Sequence, residues 1–359
     1  MNKKISKLDQ FQAVDLFCGI GGLSYGMKDT IKVVAGIDID ATCEYAFAHN
    51  VGAKYIPASV VNITGEDLIA LYDKNKRRIL VGCAPCQPFS SHSYKRKNKI
   101  DISTEDERWK LLYEFKRLII ETQPEIISME NVPQLIKHRV FDEFVQSLKE
   151  QGYQVSDYSK PVFCPDYGIP QKRQRLVLLA SKLGKINLIP PTHKVYKTVA
   201  DTIKHLPPIK DGERDTNDSL HLARKLSPLN LQRIQAITQG QTWTSFKDTN
   251  LITPCHKTEE GKKFTGVYGR MRWDSVAPTI TTHCIGLSNG SFGHPEQDRA
   301  ISLREAALLQ SFPQHYEFIE EGKSFNIASI ARHIGNAVPP LLGTAIAKSI
   351  EQHINQFVE

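Results

Sequence analysis

A chain of 359 residues is long enough for one large α/β domain and a smaller one beside it. Its composition, 40% hydrophobic and 24% charged, with 7 cysteines at irregular spacings, excludes a disordered chain and a secreted disulfide framework. The formal net charge is +7, and residues 184–275 alone hold 15 Lys and Arg against 9 Asp and Glu, a balance that suits either a polyanionic partner or a merely basic surface. No apolar run approaches the roughly 20 residues that span a bilayer. No apolar stretch follows Lys3 and Lys4 either, so the reading is a cytoplasmic protein with no signal peptide and no membrane association.

From the N-terminus, Ala13 to Phe17 reads as a short apolar strand running into a glycine-rich turn, and Lys32 to Asp38 as a second strand ending in an acid. Arg78 to Gly82 and Glu125 to Met129 are further buried strands. Between them Leu111, Leu112, Phe115, Leu118 and Ile119 recur at helical spacing. Leu176 to Ala180 closes this region. Strands alternating with helices predict a doubly wound, mostly parallel sheet over residues 1–183. Residues 184–296 are punctuated by Pro190-Pro191, Pro207-Pro208, Gly212 and Gly261, which predicts an irregular second domain with one helix near Leu229 to Ile237. In residues 297–359 the helical pattern returns. Ser302 and Glu305 have capping-box spacing ahead of Ala306 to Gln310, and Ile327 to His333 and Leu341 to Ile354 read as final helices.

The first turn reads Asp15-Leu16-Phe17-Cys18-Gly19-Ile20-Gly21-Gly22. Glycines there let the backbone approach a ligand, and Asp38 follows Gly19 at the distance of a ribose-binding acid. The dinucleotide fingerprint is incomplete, because Ser24 stands where its third glycine would be. Nucleoside binding is therefore expected, with nicotinamide and S-adenosylmethionine both open, against a purely structural turn.

The next strand enters Gly82-Cys83-Ala84-Pro85-Cys86-Gln87-Pro88-Phe89-Ser90. A cysteine at the carboxyl edge of such a sheet is placed as a nucleophile, with cations following in Lys95-Arg96-Lys97. The C-x-x-C pair also fits a redox disulfide or half a zinc site; a second pair is missing, since Cys164, Cys255 and Cys284 are each isolated, though His256 and His283 sit beside two of them. Glu130, ending its strand, suits hydrogen bonding to a ring nitrogen, or else a helix N-cap. If the last strand begins early, period two puts Gln171, Arg173 and Arg175 on one face, where buried arginines need an anionic or carbonyl partner. A surface strand end is the plainer alternative.

Together these motifs resemble the DNA cytosine-5 methyltransferase family. The resemblance rests on Asp15 to Gly22, Pro85-Cys86-Gln87, Glu130-Asn131-Val132, Gln171-x-Arg173-x-Arg175 and Gly335-Asn336-Ala337-Val338-Pro339, in the family's order, with Arg270 to Thr282 and Arg299 to Pro313 like its late motifs. Each motif is short, but the ordered set is specific and spans nearly the whole chain. It implies a class I S-adenosylmethionine-dependent methyltransferase fold, a Rossmann-like doubly wound sheet whose C-terminal helix returns beside the first strand. The irregular residues 184–296 become a target-recognition domain. It selects Cys86, not Cys83, as nucleophile, with Glu130, Arg173 and Arg175 completing the catalytic set. It places S-adenosylmethionine against Phe17, Cys18, Gly19, Ile20, Gly21, Gly22, Asp38, Ile39, Asn62, Ile63, Pro85, Asn336, Ala337 and Val338. Asn62 stands where many relatives carry Asp, and its side-chain oxygen still accepts the adenine amino hydrogen bond.

Double-stranded DNA is then the partner, with no metal and no membrane. A monomer working at the bacterial nucleoid is expected, with a cognate restriction endonuclease as a candidate companion. Methylation of an exocyclic amine does not fit, because Pro190, Pro207 and Pro339 are preceded by Ile189, Leu206 and Val338 rather than by Asp, Asn or Ser. A tRNA cytosine-5 methyltransferase and a catalytically silent DNA-binding regulator are the alternatives.

Overall fold

The computed structural model describes residues 6–85 and 105–358, the side chains of 105–109 excepted. Two compact units divide the chain: one of Met1–Phe163, Gln174–Pro191 and Val338–Glu359, the other of Cys164–Arg173 and Thr192–Ala337.

In the first unit strand and helix alternate. In order they are β1 (Phe11–Leu16), α1 (Gly22–Met27), β2 (Val33–Asp38), α2 (Glu44–Val51), β3 (Lys54–Pro57), α3 (Gly65–Ile69), β4 (Arg77–Gly82), α4 (Glu105–Thr122), β5 (Ile126–Asn131), α5 (Arg139–Glu150), β6 (Gln154–Val155), β7 (Val162–Phe163) and β8 (Gln174–Ser181). The sheet runs β3-β2-β1-β4-β5-β8-β6, with β7 also on β8. The pairs from β3 through to β5 are parallel, while β8 joins β5, β6 and β7 antiparallel. The doubly wound, mostly parallel α/β sheet expected from the sequence is therefore the observed fold.

β1 and β5 are buried along their whole length, as strands covered on both faces must be. Above them α4 buries Leu112, Phe115, Leu118 and Ile119 of the expected helical stripe and leaves Leu111 half-buried. α5 adds Val140, Phe141, Phe144, Val145 and Leu148, and Phe144 stacks on Phe115 with ring centroids 5.9 Å apart. Each such side chain contributes about 1.5–3 kcal/mol of burial. The C-terminal helix, Pro340–Phe357, lies on α1, the helix that follows the first strand. Glycine makes that approach possible: a Cβ on Gly26 would come within 2.0 Å of the Pro340 carbonyl oxygen, and one on Gly343 within 2.5 Å of that of Leu23.

The second unit carries α6 (Val199–Ile203), α7 (Pro228–Gln235), α8 (Leu303–Leu309) and α9 (Ile327–Asn336), joined by long irregular stretches. With few ladders to satisfy its main chain, buried arginines take over. Arg270 donates to the carbonyls of Ile234, Ile237, His294 and Gln297. Arg299, wholly buried, grips both oxygens of Glu305 at 2.7 Å each. The capping box exists: Glu305 N–H donates to Ser302 Oγ (3.1 Å), and Ser302 N–H to Glu305 Oε2 (2.7 Å). Trp243 stacks on His256 over a small core with Ile237, Phe246, Leu251 and Val267.

Candidate active site

In a doubly wound sheet ligands bind where strand order reverses, outside the carboxyl ends of the strands. Here that point lies between β1 and β4. Leu16 pairs with Gly82, and Gly82 with Met129, so the segments after β1 and β4 and the end of β5 share one edge of the sheet.

The turn after β1 is built for close approach. Phe17 has φ 59, Gly19 φ 50 and Gly21 φ 85, and a Cβ on Gly19 would meet nothing within 4 Å. The left-handed Phe17 is a strained conformation for an aromatic residue, and its ring packs edge-on against Phe115. The Asp38 carboxylate accepts from the Gly19 N–H and the Asp40 N–H, 2.9 Å each, tying the turn to the end of β2. Beside it Ile39 is 75% exposed, an aliphatic side chain presented to solvent at this edge.

Cys18 is buried, and burial with Asp15 and Asp38 nearby pushes its thiol well above the usual range. Ile20 and Gly22 are buried as well. Ser24, the residue that breaks the dinucleotide pattern, donates to buried Asp15 at 2.6 Å. Asn62 is exposed on the turn Val60–Asn62, whose Val60 and neighbouring Ile63 carbonyls accept from Arg117 of α4 at 3.2 and 2.8 Å. Val338 is buried in this unit.

The second cluster lies on β4, β5 and β8. Glu130 is 2% exposed and is not a helix cap. Its Oε2 accepts from the Cys83 sulfur at 2.8 Å. Its Oε1 lies 2.7 Å from Arg175 Nε, yet no donor is aligned on it: this is an ion-pair contact rather than a directed hydrogen bond. Arg175 Nη1 donates to the Gln174 carbonyl. Asn131 Nδ2 donates to the Ala84 carbonyl (3.2 Å) and pins the segment that ends at exposed Pro85. Cys86 and residues 87–104 lie outside the described residues.

β8 begins only at Gln174, so Gln171 and Arg173 precede the strand instead of sharing its alternation. Both belong to the second unit and face main-chain groups there. Arg173, 3% exposed, donates to the carbonyls of Ile280 (2.9 Å) and Gly335 (3.2 Å). Gln171 donates to the Leu309 carbonyl and accepts from the Ile280 N–H. Asn336 ends α9 exposed, and the Ala337 carbonyl accepts from Gln310 at 2.7 Å. Three partners went unread in the sequence: Ser24 for Asp15, Asn131 for Ala84, and Cys83 for Glu130. Only a polar residue inside an apolar segment hinted at the first.

Residues 11–352 match the model of the C-5 cytosine-specific DNA methylases. The chain belongs to that family. This DNA cytosine-5 methyltransferase is 50% identical over 352 residues to the Type II methylase M.HgiDII of Herpetosiphon aurantiacus, covering 96% of each chain. It is 30% identical over 343 residues to the Type II methyltransferase M1.HphI of Haemophilus parahaemolyticus, covering 94% of this chain and 86% of that one. A crystallised prophage protein of Escherichia coli, described as a DNA modification methyltransferase, superposes with a TM-score of 0.73 at 21% identity, over 96% of this chain and 99% of that one. At that identity the likeness speaks for the fold. Among the described residues no helix is long and apolar enough to cross a membrane.

Proposed function

We propose that this methyltransferase transfers a methyl group from S-adenosylmethionine to C5 of a cytosine at one fixed position in a short double-stranded DNA sequence. In this reading it is the modification enzyme of a restriction-modification system or an orphan or phage methylase, working as a monomer at the nucleoid. The observation that carries it is the juxtaposition at one sheet edge. Buried Glu130, contacted by Arg175, stands beside the segment Gly82–Pro85 that leads into Cys86, and Asn131 holds that segment.

The first strand's turn fits the cofactor. Open space at Gly19, left-handed backbone at Phe17, and exposed Ile39 leave room and an apolar face for a nucleoside, with Cys18, Ile20, Gly21, Gly22, Asp38, Asn62, Ile63, Pro85 and Val338 as its other neighbours. Asn336 and Ala337 are assigned to the cofactor by their motif alone. When bound, S-adenosylmethionine supplies an electrophilic methyl carbon on a cationic sulfonium.

The remaining chemistry belongs to the chain and the base. A stacked cytosine cannot offer C6 to a thiolate, so the base is flipped into the pocket. The Cys86 thiolate adds to C6, and the displaced electron pair builds up on C5 and N3. As that pair reaches N3, the nitrogen takes up a proton from solvent, and Glu130 holds the resulting N3–H and the exocyclic amine, which favours addition. Arg175 contacts O2 or the neighbouring backbone, with Arg173 fixing the approach to its strand. After C5 is methylated, water takes the C5 proton, its electrons return to the ring and expel Cys86 as thiolate, and N3 gives its proton back to solvent.

The test is incubation of the enzyme with methyl-tritiated S-adenosylmethionine and an equal mixture of unmethylated bacterial DNA and tRNA, separated before counting. Label appears as 5-methylcytosine in DNA, and Cys86→Ser lowers the rate by at least about 10³-fold. Cys83→Ser keeps most of the activity. Equal loss in both variants, or label confined to tRNA, overturns the assignment.

A further inference from the structure

We propose that Cys83 is a positioning residue for methyl transfer, acting through Glu130. The inference rests on the reading that Glu130 holds the cytosine edge. Glu130 is 2% exposed at the end of β5, and its Oε2 takes the Cys83 thiol hydrogen at 2.8 Å. Arg175 Nε stands 2.7 Å from Oε1 without an aligned hydrogen bond, so that oxygen is buried and lacks a directed donor.

A carboxylate has about four lone-pair sites. Cys83 takes one site on Oε2, and Arg175 contacts Oε1 without a directed bond, so each oxygen keeps at least one site for two adjacent N–H donors. The ring N3–H and exocyclic amine of a cytosine protonated at N3 are such a pair. The terminal torsion of a glutamate is broad and roughly two-fold, so without a second anchor the carboxylate turns freely about it. The thiol removes that freedom from one side and the guanidinium from the other. Cys83 sits directly after Gly82 of β4, and its own N–H donates to the Leu16 carbonyl, so the anchor is fixed to the sheet. No proton is transferred to or from Cys83 in this role.

The experiment is a double-mutant cycle on the single-turnover methylation rate of duplex DNA, with cofactor affinity measured for every variant. Cys83→Ala slows the chemical step by about tenfold, the scale of one hydrogen bond to a charged group. Cys83→Ser keeps a donor and recovers most of that loss. Cofactor affinity stays within about twofold throughout, since Cys83 acts after binding. In a Glu130→Gln background, Cys83→Ala costs almost nothing further. An equal tenfold loss in that background overturns the proposal, because Cys83 then acts elsewhere. A Glu130→Gln enzyme as fast as the parent overturns the underlying reading of Glu130 instead.

Discussion

Asp15 shows how one side chain in the site turns burial into a measurable pH dependence. Burial pushes its carboxyl from the ordinary 3.8 up to about 7; the Ser24 hydrogen bond opposes the shift and nearby Asp38 adds to it. The folded state therefore keeps a proton that the unfolded chain releases near pH 4. This contribution to stability is fully present below about pH 4 and is lost as pH rises towards 7, by on the order of 4 kcal/mol. Asp15→Asn keeps an acceptor for Ser24 and removes the titration. Urea unfolding at pH 4.5 and 7.5 will show the variant gaining stability over the parent as pH rises. A difference that stays constant with pH contradicts the assignment. Residue roles were legible only in part. Glu130 announces itself by ending a buried strand, but nothing in the spacing joins it to Cys83, which is 47 positions away. Nor does spacing choose between Cys83 and Cys86; that choice came from the resemblance.

Among the elements, the sequence was most readable where burial imposes a period. β1, β2, β4, β5 and β8 are short apolar runs between turns, and α4 carries its stripe from Leu112 to Ile119. α5 has an equally clear stripe and went unassigned. β3 and β7 offered little: four and two residues, the first ending in a proline, are too short for alternation to register. The arginine clamps of the second unit were illegible for another reason. Arg270 is specified by carbonyls 24 to 36 residues away, and no local pattern encodes them.

The contact of the C-terminal helix with α1 is the sharpest steric test of the first unit. Alanine at Gly26 would meet backbone atoms of Pro340, Gly343 and Thr344 at 2.0 to 2.9 Å, none of which yields easily. Gly26→Ala is predicted to cost about 3 kcal/mol, the upper end of overpacking. Gly266→Ala, whose Cβ meets nothing within 4 Å, serves as the control and changes stability by less than about 0.5 kcal/mol. Equal denaturation midpoints for the two variants contradict that packing.

At the scale of the whole molecule, one unit concentrates chemistry at one edge of its sheet, and the irregular backbone of the other is fixed by buried ion pairs and arginine–carbonyl bonds. The first is what a cofactor and a nucleophile need. The second suits recognition, because loops held rigid from within can present varied side chains to a groove. The basic balance of residues 184–275 suits an electrostatic approach to phosphates, while base contacts set the sequence read. The most direct measurement is bisulfite sequencing of genomic DNA from a bacterial host without cytosine methylation of its own, with and without this chain expressed. Protected cytosines are expected at one fixed position in a short recurring motif, present only with the chain. Full conversion of every cytosine, with the protein soluble and folded, would contradict this.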